Sequence, residues 1–271
     1  MNTRDPQSLV GMQQPILALA KKAGDAILEV YAQDFDVERK QDESPVTAAD
    51  IAAHKVICQG LSELTPDIPL ISEEDGLPEF EERSQWPRYW LIDPLDGTKE
   101  FVNRNGEFTV NIALISDHVP VLGVVHVPVM DISYFGVPGA GAWRIEGSGS
   151  QAIQVSSESA SRLRVVGSRS HRGNSLDHWL AGRGDTEFVA CGSSLKFCLI
   201  AEGKADVYPR FGPTSEWDTA AAQAVTVAAG GKVTRTDGSE LQYNREANIL
   251  NPFFIVSGPQ DQDWLRDAPD T

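Results

Sequence analysis

The stretch WLIDPLDGTKEF, residues 90–101, decides the reading of this chain. An apolar, strand-like run, Tyr89-Trp90-Leu91-Ile92, stops at two aspartates three apart, Asp93 and Asp96. Gly97 and Thr98 follow at once. Two fixed carboxylates beside a turn of free backbone N–H groups suit a divalent metal and a phosphate held together. A glycine after the second aspartate lets the backbone approach an anion closely. A helix beginning in KEFVN (99–103) would turn its free N–H groups and dipole toward that anion. The bland alternative is a type I turn over Asp93–Gly97 with proline at its second position.

Outward from this stretch, three more acidic elements stand out. Glu73 and Glu74 end the strand-like IPLIS (68–72), Asp218 opens an Ala-rich helix, and Asp50 lies in the first turn of another. Each has an ordinary reading as a solvated turn, a dipole partner or a cap. Together they put carboxylates at strand ends and helix N-termini, where α/β folds bind ligands. All-oxygen donors suit Mg²⁺, and this set can hold two or three ions. The five histidines are scattered and no Cys-rich site exists, which argues against zinc.

The net charge of −16 argues against nucleic acid or an anionic membrane as the main partner. It also means that an anionic substrate needs cations in the site, which the metals would supply. The N-terminal MNTRDPQSLVGMQQ has no apolar signal region, and no run of about 20 apolar residues could span a bilayer. Cys58, Cys191 and Cys198 are odd in number and lack CxxC spacing, as expected of reduced thiols in the cytoplasm. Peripheral association with the inner membrane is left open, as is the choice between monomer and homodimer.

Apolar spacing predicts helices over 13–31 and from about Thr47, where Thr47 and Asp50 resemble a capping box. Strands are predicted at 68–72, 88–92, 108–116, 119–128 and 131–137. The Gly/Ser-rich segment 146–161 is the expected boundary between domains at 1–155 and 156–271. Beyond it, strands at 162–168, 187–192, 206–210 and 253–256 alternate with helices at 174–181, 194–203 and 217–229. The expected class is α/β, with an α+β N-terminal half of two helices and an antiparallel meander.

Glu73-Glu74, then Asp93-Pro94-Leu95-Asp96-Gly97-Thr98, then Trp217-Asp218 opening a helix that ends in Ala229-Gly230-Gly231, resemble the lithium-sensitive phosphatase superfamily. That superfamily includes inositol monophosphatase and fructose-1,6-bisphosphatase. The resemblance implies a layered α/β/α/β/α sandwich and lithium inhibition. It implies a first Mg²⁺ on Glu73, Asp93 and the Leu95 carbonyl, and a second on Asp93, Asp96 and Asp218. It gives Glu73 a third, weaker ion through water, and Thr98 with Asp50 the attacking water. That is two-metal phosphoryl chemistry.

Asp96-Gly97-Thr98-Lys99-Glu100-Phe101 and Asn105–Ile112 are similar to the 3′(2′),5′-bisphosphate nucleotidase branch, as are Gly167–His171, Gly192–Phe197 and Tyr208–Thr214. That branch implies a nucleoside bisphosphate substrate: adenosine 3′,5′-bisphosphate hydrolysed to AMP, with its 5′-phosphosulfate analogue as a further substrate. Substrate contacts would fall to Gly97, Thr98, His171, Ser193, Lys196 and Arg210. Lys196 and Arg210 have a plain reading as surface charges, and Ser168 and Ser193 as helix caps. The rivals are an inositol, sugar or histidinol monophosphatase, and a nucleotide-binding protein without catalysis. Phe211, where the inositol-type enzymes carry an acid, disfavours inositol phosphate.

Overall fold

The computed structural model describes residues 5–32, 38–39, 45–46, 48–157, 162–168, 174–259 and 263–270. Helices α1 (Pro6–Val10) and α2 (Gln13–Tyr31) are followed by the short pair β1 (Glu38–Arg39) and β2 (Pro45–Val46), then α3 (Ala48–Leu64). Ile16, Ala20, Ala23 and Ile27 form the buried stripe of α2, as their spacing predicts. Helices α2 and α3 pack closely because Gly60 has no side chain; a Cβ there would lie 2.5 Å from Leu19 Cδ1. Thr47, and with it the predicted capping box, lies outside the described residues. Asp50 does sit in the first turn of α3 and is buried.

The chain continues through β3 (Leu70–Ser72), α4 (Phe80–Arg83), β4 (Arg88–Asp96), α5 (Thr98–Val102), β5 (Thr109–Ser116), β6 (Val119–Val127) and β7 (Ile132–Val137). It then adds β8 (Gly141–Glu146) and β9 (Gly149–Ile153). Strands β3 to β9 form one seven-stranded sheet in sequence order. Only β3 and β4 run parallel; the remaining neighbours are antiparallel, which is the predicted meander. The hairpin β8–β9 was not predicted. Part of the Gly/Ser-rich segment 146–161 turns this hairpin, with Gly147 at φ 56°.

The second sheet draws on β10 (Leu163–Gly167), β11 (Thr186–Ala190), β12 (Val207–Arg210), β13 (Lys232–Arg235) and β14 (Phe254–Ser257). Between them run α6 (Asn174–Ala181), α7 (Leu195–Ala201) and α8 (Glu216–Ala228). Its order is β11-β10-β12-β14-β13. Strand β10 is parallel to β11 and β12, as strand–helix alternation predicts, while β14 runs antiparallel to both of its neighbours.

Three apolar clusters define the layers. The first joins α1–α3 to one face of the large sheet through Ile16, Ile57, Trp90 and Ile112. On the other face, Leu91 and Ala113 pack with Phe197 of α7, Ala221 of α8, and Tyr208 and Val256 of the second sheet. Trp179 of α6 covers the far face of that sheet over Val165, Val207 and Ile255. The result is an α/β/α/β/α sandwich of mixed α/β class. Among the described residues, no helix is long and apolar enough to cross a membrane.

The middle layer is unusually tight. Gly123 and Gly136 pair across β6 and β7. A Cβ at Gly123 would lie 2.1 Å from Ala221 O, and one at Gly136 2.4 Å from Val225 Cα. The two glycines form a trough in which the Ala-rich α8 rests with its backbone almost on the sheet. That seat fixes where the first turn of α8, with Asp218, meets the end of β4.

Candidate active site

Residues three apart on a regular strand face opposite ways. Asp93 pairs with Asn111 and Asp96 with Thr109, so three steps on β4 oppose two on β5. This bulge brings both aspartates to one side, and Pro94 fits it because a bulge spares a donor that the ladder would otherwise need. The strand therefore continues to Asp96 rather than ending at Ile92, and the bulge replaces the isolated turn.

Asp93, Asp96 and Asp218 each offer an oxygen within 4.8 Å of the others'. Asp93 is 1% exposed. Its Oδ1 accepts from Leu95 N at 3.0 Å, while its buried Oδ2 has no hydrogen-bond partner among the described residues. Burial, then the charges of Glu73, Asp96 and Asp218, hold its carboxyl well above the usual range. Asp218 closes a capping box with Ser215, whose N–H donates to Asp218 Oδ2 at 2.9 Å. The cap reading and the site reading are thus both true of Asp218. Burial and then the charge of Asp96 push it up to about 7.

Asp96 Oδ2 accepts from Ser194 N at 2.6 Å and Ser194 Oγ at 2.7 Å. Thr109 Oγ1 and Asn111 Nδ2 lie 3.5 Å from the same oxygen. Glu73 stands outside the tight triad and is exposed to solvent. Crowding by protein atoms, then the charges of Asp218, Asp50 and Glu74, raise its carboxyl to about 8. Water at its open side screens those charges. Asp50 acts electrostatically on both Glu73 and Asp93. Leu95 is buried in the bulge, its side chain among the apolar residues against α1–α3.

Carboxylates this close, with Asp93 buried and Asp96 and Asp218 half-buried, are unfavourable unless something positive compensates them. The partnerless Oδ2 of Asp93 and the upward shifts at Asp93 and Asp218 mark a site that divalent cations fit. The donors are all oxygen, which suits Mg²⁺.

Beside the triad lies a cavity lined by Asp96, Gly97, Glu100, Ser193, Lys196 and Arg210, among others. Gly97 caps α5 with φ 96°, a left-handed conformation, and Ser193 Cβ lies 3.3 Å from where a side chain would begin. Both demands select glycine. Thr98 is the first residue of α5, which is one short turn. Lys196 is buried, donates to Ser193 O at 2.5 Å, and stands 5.6 Å over the Tyr208 ring. Arg210 is braced by Thr214 and by Pro213 O at 2.6 Å. Ser193 holds φ 44°, and its Oγ is buried without a partner among the described residues. His171 lies outside the described residues. The structure thus gathers Asp93, Asp96 and Asp218 around one point and Gly97, Ser193, Lys196 and Arg210 around the adjoining cavity, while Glu73 and Asp50 lie outside the triad and act on Asp93 through their charge.

Sequence reasoning missed Ser194, Asn111 and Thr109. The signal lay in β5, where Thr109 and Asn111 are polar residues two apart in a strand buried along its whole length. A buried polar pair at period two needs partners, and here the partners surround Asp96. The three cysteines are free thiols, and burial raises Cys58 to about 11.

The chain belongs to the inositol monophosphatase family, whose model matches residues 11–262. Within it, the chain is 54% identical over 248 residues to the 3′(2′),5′-bisphosphate nucleotidase CysQ of Salmonella typhimurium, covering 91% of this chain and 99% of that protein. It is 35% identical over 251 residues to the CysQ of Haemophilus influenzae, covering 92% and 93%. The crystal structure of CysQ from Bacteroides thetaiotaomicron superposes with a TM-score of 0.81 at 41% identity, over 92% of this chain and 98% of that one.

Proposed function

We propose that this chain is an Mg²⁺-dependent phosphatase that removes the 3′-phosphate of adenosine 3′,5′-bisphosphate, giving AMP and phosphate. The carrying observation is the triad of Asp93, Asp96 and Asp218 around a partnerless buried oxygen. The nucleotide half of the reading is supported by the 54% identity to a protein named 3′(2′),5′-bisphosphate nucleotidase.

In this reading Glu73, Asp93, Asp96, Asp218 and the Leu95 carbonyl hold two or three Mg²⁺ ions. When bound, the ions supply an acidified water and a positive field for phosphate and leaving group. Thr98 with Asp50 orients the attacking water and takes its proton. The charge of Asp50 acts on both Glu73 and Asp93, which supports that role. Water oxygen bonds to phosphorus, the P–O3′ bond breaks, and the ribose oxygen leaves as a hydroxyl after gaining a proton. The N–H groups at Gly97 and Thr98 meet the charge that develops on the phosphoryl oxygens. Lys196 and Arg210 would hold the second phosphate, a role supported by their lining of the adjoining cavity. His171 serves the adenosine moiety, and Ser193 offers its unused hydroxyl to substrate.

Phosphate release from adenosine 3′,5′-bisphosphate, its 5′-phosphosulfate analogue and inositol 1-phosphate tests this. The bisphosphate should lead in kcat/KM by more than tenfold, with no turnover in EDTA. Comparable values, or a preference for inositol phosphate, would overturn the nucleotide assignment. Binding of the nucleotide without turnover in Mg²⁺ would overturn catalysis altogether.

A further inference from the structure

We infer that Ser194 is a positioning residue that saturates one oxygen of Asp96 and ties it to Asn111 of β5, leaving the other oxygen for a cation. This rests on the metal-dependent reading above. Ser194 is 3% exposed. Its backbone N–H and its hydroxyl reach the same carboxylate oxygen, Asp96 Oδ2, at 2.6 and 2.7 Å. A carboxylate oxygen offers about two acceptor sites, so these two donors fill Oδ2. The cation is left with Oδ1, in an orientation that the two bonds fix.

The same hydroxyl lies 2.7 Å from Asp218 O and accepts from Asn111 Nδ2 at 2.8 Å. It has one proton and two acceptors for it. The carboxylate is the stronger acceptor, and the Asn111 donor occupies a lone pair and turns the proton away from itself. Ser194 thereby joins β4 to β5 beside the first turn of α8, whose Asp218 O lies 2.7 Å from the hydroxyl. Neither bond is replaceable by a neighbour, because the other donors to Asp96 Oδ2, from Thr109 and Asn111, stand at 3.5 Å.

The loop that carries Ser194 is fixed from both sides. Gly192 N donates to Glu107 Oε2 at 2.9 Å, and Lys196 Nζ donates to Ser193 O at 2.5 Å. A Cβ at Gly192 would lie 2.6 Å from Glu100 Cγ, so the loop can lie this close to α5 only with glycine there. Ser193, Ser194 and Lys196 all line the cavity that Asp96 and Asp218 also reach, and Ser194 is the one bonded to Asp96. One loop therefore touches both halves of the site, and a ligand that orders it should tighten the cation. Linkage makes the effect reciprocal.

The test is calorimetric titration of Mg²⁺ into the full-length protein without substrate, repeated with AMP present, for wild type, Ser194→Ala and Ser194→Thr. Loss of a partner that orients a ligand costs roughly 10–100-fold in metal affinity. Ser194→Ala should weaken Mg²⁺ by that factor and lose the tightening by AMP, and Ser194→Thr should recover affinity. Thermal unfolding of the metal-free proteins separates positioning from damage. Ser194→Ala binding Mg²⁺ as tightly as wild type overturns the inference. Equal loss in both variants, with lowered metal-free unfolding temperatures, also overturns it in favour of a purely structural role. A wild type that binds no Mg²⁺ would instead sink the metal-dependent reading itself.

Discussion

Gly123→Ala tests whether the seat of α8 on the sheet, rather than the motif acids alone, makes the site. The added Cβ would stand 2.1 Å from Ala221 O and 2.8 Å from Ala224 Cβ. Ordinary contact begins near 3.5 Å, so α8 must withdraw by roughly 1 Å. Overpacking of this kind costs about 1–3 kcal/mol. Replacing glycine within a strand returns about 0.5–1 kcal/mol, which leaves a net loss of roughly 1–2 kcal/mol. For a chain of this size that lowers Tm by roughly 3–6 °C. The effect on turnover should be larger, because Asp218 rides on α8 while Asp93 and Asp96 stay on β4. A displacement of about 1 Å at a reacting centre can cost 10²-fold. The assay pairs calorimetric Tm with kcat/KM on adenosine 3′,5′-bisphosphate at saturating Mg²⁺. Gly149→Ala, on the exposed strand β9, is the control and should change neither. A Gly123→Ala protein with wild-type Tm and turnover would refute the claim that the glycine trough sets the position of Asp218.

Asp93→Asn removes one charge from a crowded buried set, so the metal-free protein should be as stable as wild type or more so. Turnover should fall by at least about 10³-fold, and the Mg²⁺-induced rise in Tm should vanish; a retained rise would rule out Asp93 as a ligand. Arg210→Met removes a charged donor worth about 1.5–3 kcal/mol. It should raise KM for the bisphosphate by at least about tenfold while 4-nitrophenyl phosphate changes less than twofold, and equal changes would place Arg210 outside the second-phosphate site. His126 is buried in β6 under Gly24, hydrogen-bonded through Nδ1 to Ser133 Oγ at 2.8 Å. Burial lowers its pKa to about 4, with the Asp131 charge opposing and Lys21 assisting. A base depressed from about 6.5 contributes stability that is full above pH 6.5 and is lost as pH falls toward 4, at most about 3 kcal/mol. Urea midpoints between pH 7 and pH 4.5 should show this fall in wild type and a shallower one in His126→Asn; parallel slopes would remove His126 as the cause.

The sequence carried the order of the main helices and strands well because its signals were local. The apolar stripe of α2 needed only Ile16, Ala20, Ala23 and Ile27 in register, and the strand–helix alternation after residue 162 needed only neighbours. The end of β4 was misjudged for a physical reason. Asp-Pro-Leu-Asp has the composition of a turn, and only pairing with β5 shows that it is a bulge. The hairpin β8–β9 was hidden likewise, since Gly147 and Gly149 read as a linker until the strands on either side are seen to pair. In both cases hydrogen bonding to a distant strand overrode local propensity.

The site acids were legible as a set, but not the reason that they meet. Asp218 reaches Asp96 because Gly123 and Gly136, thirteen residues apart, happen to be cross-strand partners beneath α8. Asp96 holds its orientation because Ser194, on a third element, fills one of its oxygens. Neither fact has a one-dimensional signature. Each also breaks an ordinary rule: glycines inside central strands weaken a sheet, and like charges do not gather where water is excluded. A fold tolerates such departures where they serve a site and are compensated by packing around them. Here the compensation is visible in the same residues. The glycines let an Ala-rich helix bury its inner face, and that burial holds Asp218 against the like charges of Asp93 and Asp96.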